Sequence, residues 1–340
     1  MAIANESGGL HRARVGRVVL LRPGALGDVL VLRGVIRFFK DTFPLKEVVL
    51  AAPGERGRFL CRPGWADRAL DWERAMFSWL FSPGAEPPPP ELVAALGDTD
   101  MFIAYVDADG ESLSKRLSAL APGALAMFST SRPPSRLHSP IGEWMVKSVA
   151  NFCLGAGLIT PDSLPDVRQF CDARIHMTEP PPDTLHGQPY TVLHPGSGSR
   201  RKNWPLPHFI ELGRRLSFKA DAPLSLVPRL VVVSGEADGD AGSRLVDALP
   251  GSLHVHGESL DSLALLLANA SLYVGNDSGV SHLAASVKNR EGDFPKQTVL
   301  FGPSDAAVWA PPGACIVQAR DGLEHLSPDE VLLAIQAFTE

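Results

Sequence analysis

Short apolar, β-branched runs recur along this chain, and several run into a glycine-bearing turn and then into apolar residues spaced three or four apart. This alternation is what most limits the fold. A strand that is apolar at every position must be covered on both faces, and the covering helices come from the crossover between parallel strands. The run R-V-V-L-L at 17–21 leads into Val29, Leu32, Ile36, Phe39 and Phe43, the spacing of one amphipathic helix that Pro44 stops. Further strands are expected over 47–52, 101–106 and 123–128. The pattern then restarts, with strands expected over 190–194, 230–234, 272–275 and 299–301 and helices over 206–216, 262–270 and 328–338. Between the halves lies a polar, proline-rich stretch, 178–189, with the character of a linker, and 82–90 (S-P-G-A-E-P-P-P-P) has the character of a surface loop.

The expected architecture is therefore α/β, with two Rossmann-like parallel-sheet domains facing across a cleft. The N-terminal domain spans 1–178 and the C-terminal domain 190–326. A closing helix within 327–340 is expected to pack back on the N-terminal domain. A chain of 340 residues is long enough for both.

Composition narrows the function. A net charge of −6 argues against nucleic acid as a partner, though local basic loops can still meet an anionic substrate. No stretch is long and apolar enough to span a membrane, and the polar residues 1–14 lack the apolar core of a signal peptide, so a cytoplasmic protein with at most peripheral membrane contact is expected. Cys61, Cys153, Cys171 and Cys315 show no paired spacing and read as buried or free thiols.

Four loops carry chemistry. The first, R-P-G-A-L-G-D at 22–28, follows the first strand. Its glycines permit a tight turn and bring Asp28 to a helix start, either as a cap or as a general base. The second, H-P-G-S-G-S-R-R-K-N-W at 194–204, offers close backbone approach, the hydroxyls of Ser197 and Ser199 around Gly198, and the Lys202 ammonium for phosphate. In the third, Glu236 ends a strand where a carboxylate can accept both hydroxyls of a ribose, or where it is simply part of a turn. The fourth, G-N-D-S-G-V-S-H at 275–282, places Asp277, Ser278 and Gly279 at the first turn of a helix, whose amides and dipole suit a diphosphate. His282 behind it is open to a site role or a core role. Arg56, Arg58 and Arg62 crowd one loop and Arg132 and Arg136 another, a chemistry that suits phosphates or carboxylates as well as plain solvated charge. Asp107 and Asp109 form the one D-x-D string and read as a surface turn.

Together these motifs resemble glycosyltransferase family nine, the ADP-heptose:lipopolysaccharide heptosyltransferases. G-A-L-G-D-V-L at 24–30 is similar to the family's opening motif, H-P-G-S with K-N-W-P at 194–205 to its phosphate loop, and N-D-S-G-V-S-H-L-A-A at 276–285 followed by L-F-G-P-S-D at 300–305 to its most specific signature. The resemblance implies a GT-B enzyme that inverts the anomeric centre and needs neither metal nor cofactor. It implies Asp28 as base, Lys202 with Ser199 on the donor diphosphate, Glu236 on the ribose, Asp277, Ser278 and Gly279 at the diphosphate turn, His282 behind it, and Ser259 and Leu260 at the adenine side. The partners implied are an ADP-linked sugar donor and an anionic glycan or glycolipid acceptor, with Gly24, Ala25 and the arginine loops on the acceptor side. Two features depart from the family pattern: Y-V-D-A-D-G at 105–110 in the acceptor domain, and a short insertion at 288–296. A nucleotide-sugar epimerase of the same architecture, or a binding scaffold without activity, fits the donor loops equally. Acceptor dependence separates the epimerase from the transferase. Retention of both Asp28 and Lys202 argues against a scaffold.

Overall fold

The structure is a computed structural model that describes residues 15–340 apart from 85, 164–165, 183–184, 186, 218–228 and 340. The polar start 1–14 and parts of the proline-rich stretch 178–189 lie outside the described residues. The chain divides into two compact units, Met1–Ala173 and Arg174–Glu340.

In the first unit, strands β1 (Arg17–Leu21), β2 (Glu47–Ala52), β3 (Arg68–Asp71), β4 (Met101–Tyr105) and β5 (Leu125–Ser129) form one sheet in the order β3-β2-β1-β4-β5. Every pairing is parallel. All five residues of β1 and of β4 are buried, which is why β4 and, after Arg17, β1 read as unbroken apolar runs. Alternate residues of these strands, Val19, Leu21, Val49, Ala51, Phe102 and Ala104, share one face with Leu113, Leu117 and Leu120 of the helix Gly110–Leu120. Burying each large apolar side chain contributes about 1.5–3 kcal/mol.

The helix expected over 29–43 is two helices, Leu26–Leu30 and Arg33–Thr42. At the break the buried Arg33 donates from Nε to the Leu30 carbonyl at 3.0 Å and from Nη1 to the Ala173 carbonyl at 2.7 Å. The helix Ile141–Gly155, absent from the sequence expectations, packs against Arg33–Thr42.

In the second unit, strands β6 (Ile175–His176), β7 (Tyr190–His194), β8 (Arg229–Ser234), β9 (Leu253–His256), β10 (Leu272–Asn276), β11 (Val287–Lys288), β12 (Lys296–Phe301) and β13 (Cys315–Gln318) are described. Six of them form a parallel sheet in the order β13-β12-β10-β7-β8-β9, and β6 pairs with β11 apart from it. The stretch 288–296 thus takes in the end of β11, the start of β12 and the turn between them. The closing helix Pro328–Thr339 belongs to this unit, where Val331 and Ile335 join Leu193, Val232, Val274, Leu300 and Trp204 in the core.

Both sheets reverse strand order once, between β1 and β4 in the first and between β7 and β10 in the second. In open parallel sheets the loops leaving the carboxyl ends of such a strand pair diverge and leave room for a ligand.

Candidate active site

Strand β1 is followed by Arg22, whose amide still donates to the Ala51 carbonyl at 2.9 Å. The chain then turns through Gly24, at φ +152°, into the helix Leu26–Leu30. A side chain at Gly24 would place its Cβ 2.8 Å from Asp28 Cβ and 2.9 Å from Asp28 Oδ2, so this turn folds back over Asp28 only with glycine there. Asp28 sits in the first helical turn, with Oδ2 accepting from the Ala25 amide at 3.0 Å. Its Oδ1 accepts from Arg22 Nη2 at 2.9 Å. Asp28 is thus not the N-cap itself, which is Ala25, but holds the helix start from the third helical position by accepting from the Ala25 amide. The carboxylate is still about a third exposed, and each of its oxygens can accept more than one bond.

Arg22 is buried, at 1% exposure, and all three of its donor nitrogens are engaged. Nε donates to the Asp28 carbonyl at 3.1 Å and Nη1 to the Ser131 carbonyl at 2.7 Å, and the guanidinium lies 5.8 Å from the Tyr105 ring centre. Burial lowers the pKa of Arg22, opposed by the negative charge of Asp28. Ser131 is held in turn by Asp107, which accepts from its amide at 2.9 Å and from its hydroxyl. These bonds hold the Asp107 carboxyl below its ordinary range. Asp109 caps the helix Gly110–Leu120 through the Ser112 amide. The D-x-D string is thus a pair of structural acceptors.

Of the arginines, Arg56 donates to the Gly24 carbonyl at 2.7 Å and so joins the Asp28 turn. Arg62 folds onto the Phe59 ring at 4.5 Å and donates to the Phe59 carbonyl. Arg58 is exposed near Asp71, and Arg132 and Arg136 are exposed on the loop that follows Ser131.

On the second unit, the loop after β7 and the loop after β10 are tied by Asn276, which is fully buried. Its Nδ2 donates to the carbonyls of Pro195 at 2.8 Å and Gly196 at 3.3 Å, and its Oδ1 accepts from the Trp204 amide at 2.9 Å. One amide side chain therefore grips the 194–204 loop at both ends. Ser197 Oγ bonds to the Ser199 carbonyl and to Asn203 Oδ1, so it shapes the loop from within. Gly198 and Ser199 are exposed at its tip, and a Cβ at Gly198 would meet nothing.

Lys202 Nζ reaches Asp277 Oδ2 at 2.7 Å, and Ser304 Oγ donates to the same oxygen. Asp277 is buried whereas Lys202 is about a third exposed, so the ammonium is the accessible end of the pair. The Asp277 amide donates to the Leu300 carbonyl at 3.0 Å. The amides of Gly279 and Val280, at the first two positions of the helix Gly279–Ser286, have no intrahelical acceptor by helix geometry. Ser278 caps that helix through the Ser281 amide, and His282 lies buried one turn on.

Beneath this cluster, His194 Nε2 lies 3.1 Å from Asp238 Oδ2, and Nδ1 lies 3.4 Å from Ser278 Oγ. Burial pushes the Asp238 carboxyl up, but His194 and the Gly235 amide outweigh it and hold it below its ordinary range. A Cβ at Gly196 would lie 1.6 Å from Asp238 Oδ2, so the loop crosses this carboxylate only as glycine. Glu236 is exposed at the end of β8. Ser259 caps the helix Leu260–Ala268 through the Ser262 amide, with Leu260 half-buried beside it. No contact of Glu236 or Ser259 with the Lys202 cluster is seen among the described residues.

The family model described as Glycosyltransferase family 9 (heptosyltransferase) matches residues 136–328, more than half of the chain. The chain belongs to that family. It is a glycosyltransferase of the heptosyltransferase kind, and its two parallel-sheet units are those of the GT-B fold. The match takes in Lys202, Asp277 and Ser304 but not the Asp28 turn. Among solved structures, E. coli ADP-heptose LPS heptosyltransferase II has a TM-score of 0.62 at 15% identity, covering 95% of this chain and 98% of its own. The family 9 glycosyltransferase of Veillonella parvula has a TM-score of 0.67 at 16% identity, covering 95% and 97%. The E. coli heptosyltransferase WaaC with ADP has a TM-score of 0.63 at 17% identity, covering 95% and 99%. No curated protein sequence matches the chain.

Sequence reasoning did not single out Arg22, His194, Asp238, Asn276 or Ser304. Arg22, His194, Asn276 and Ser304 lay inside the quoted motifs without being picked out, and Asp238 lay outside all of them.

Proposed function

We propose that this chain is an inverting, metal-independent glycosyltransferase that moves heptose from ADP-heptose to an anionic glycan or lipopolysaccharide-core acceptor. The observation that carries the reading is the Lys202–Asp277–Ser304 cluster beside the start of the helix Gly279–Ser286, at the strand-order reversal of the second sheet. A diphosphate there would meet the Lys202 ammonium and the amides of Gly279 and Val280. Negative charge grows on the diphosphate as the sugar leaves, and fixed donors of this kind stabilise it without reorganisation. Asp277, neutralised by Lys202 and Ser304, acts by aiming the ammonium. Glu236 would take the ribose hydroxyls, with Ser199, Ser259, Leu260 and His282 around the donor.

On the first unit, Asp28 would accept the proton of the acceptor hydroxyl as that oxygen attacks the anomeric carbon from the face opposite the diphosphate. Arg56, Arg132 and Arg136 would meet acceptor anions. The nucleotide assignment draws support from the relatives in fold, of which WaaC is solved with ADP and with ADP-2-deoxy-2-fluoro heptose. Any membrane contact would be peripheral, because no described helix is long and apolar enough to cross a membrane.

Calorimetry with ADP, GDP and UDP in EDTA tests the donor class. ADP is expected to bind most tightly, with the same affinity before and after chelation. Binding that requires added magnesium, or that favours UDP, would contradict the proposal.

A further inference from the structure

We propose that Arg22 is a positioning residue for transfer: one buried guanidinium sets the Asp28 carboxylate and holds the acceptor-side loop 130–138 in register with it. The inference rests on the reading of Asp28 as the base. Taking an arginine out of water costs several kcal/mol, and the charge is tolerated only where its donors are all satisfied. Arg22 is buried with every donor nitrogen engaged. Two of them go to a single residue, Asp28, one to its backbone carbonyl and one to Oδ1.

A two-point grip on carbonyl and carboxylate fixes the side-chain rotamer as well as the helix start. With the Ala25 amide on Oδ2, each carboxylate oxygen is oriented by one partner and keeps lone pairs for a hydroxyl proton. The remaining nitrogen, Nη1, takes the Ser131 carbonyl at the root of the loop that carries Arg132 and Arg136, and Asp107 fixes Ser131 from its other side. The Tyr105 ring beneath the guanidinium closes off its alternative positions. A base misplaced by about an ångström can cost on the order of a hundredfold in rate, so such a clamp has a purpose beyond stability.

A double-mutant cycle on the full chain tests this. Arg22→Gln is expected to lower kcat about tenfold or more, leaving the affinity for ADP within about twofold of wild type. In the Asp28→Asn background the same change should have no further effect on kcat, because a residue that acts through Asp28 has nothing left to position. Arg22→Lys keeps the charge but not the three-way fork and should lie between Gln and wild type. If Arg22→Gln does not fold, Arg22→Lys carries the cycle. Wild-type kcat in either folded variant, or a loss that multiplies with that of Asp28→Asn, would overturn the inference and leave Arg22 as a structural ion pair. Failure of the base reading looks different: Asp28→Asn alone would then transfer at the wild-type rate.

Discussion

Asp28→Asn should lower transfer on the order of a hundredfold or more while leaving ADP affinity nearly unchanged, as expected when a general base is removed. Asparagine is close in size to aspartate and can keep its one oxygen toward either Arg22 or the Ala25 amide, giving up the other of the two side-chain contacts. The bond from Arg22 Nε to the backbone carbonyl of residue 28 is untouched, so the turn is expected to survive with one side-chain bond fewer and without its proton acceptor. Rates of ADP release with saturating acceptor, set beside calorimetry with ADP alone, read the two effects separately. Because Asp28 also serves the helix start, a fall in melting temperature by itself would not support the base role. Wild-type transfer by the folded variant would reduce Asp28 to a cap.

Lys202→Ala should weaken ADP about ten- to a hundredfold, the loss of one charge-assisted contact of about 1.5–3 kcal/mol. The upper end of that range is expected, since the substitution also leaves the buried Asp277 carboxylate with Ser304 and without its cation, facing an incoming dianion. Adenosine carries no phosphate and should bind the variant almost as it binds wild type. Calorimetry with both ligands decides the matter. Equal losses for ADP and adenosine would mean a collapsed pocket, and no loss for either would move the diphosphate away from Lys202.

The central strands were legible because parallel strands covered on both faces are apolar over most of their length, with polar residues mainly at their ends. β1, β2 and β7 run over the residues expected of them, and all of β1 and β7 is buried. The edge strands β3 (R-A-L-D) and β9 (L-H-V-H) escaped notice because they are half-buried at most and mix charge or imidazole with short apolar residues. Their place in the sheet comes from pairing with β2 and β8, not from their own pattern.

The site divides along similar lines. Glycine-rich turns after strands announce themselves, and so the loops holding Asp28, Lys202 and Asp277 stood out. What each loop residue bonds to was not legible. The Lys202–Asp277 pair, the Asn276 grip on the 194–204 loop and the reach of Arg22 to Ser131 join residues far apart in sequence. An arginine just after a strand looks like surface charge until the chain that buries it is in place.

The most direct test of the account is the fate of ADP-heptose with and without an acceptor, followed in EDTA by release of ADP and by the anomeric configuration of the product. ADP is expected to appear only when a glycan acceptor is present, and the sugar is expected to be transferred with inversion. Conversion of the nucleotide sugar with no second substrate would mark an isomerase, and retention at the anomeric carbon would remove the role given to Asp28.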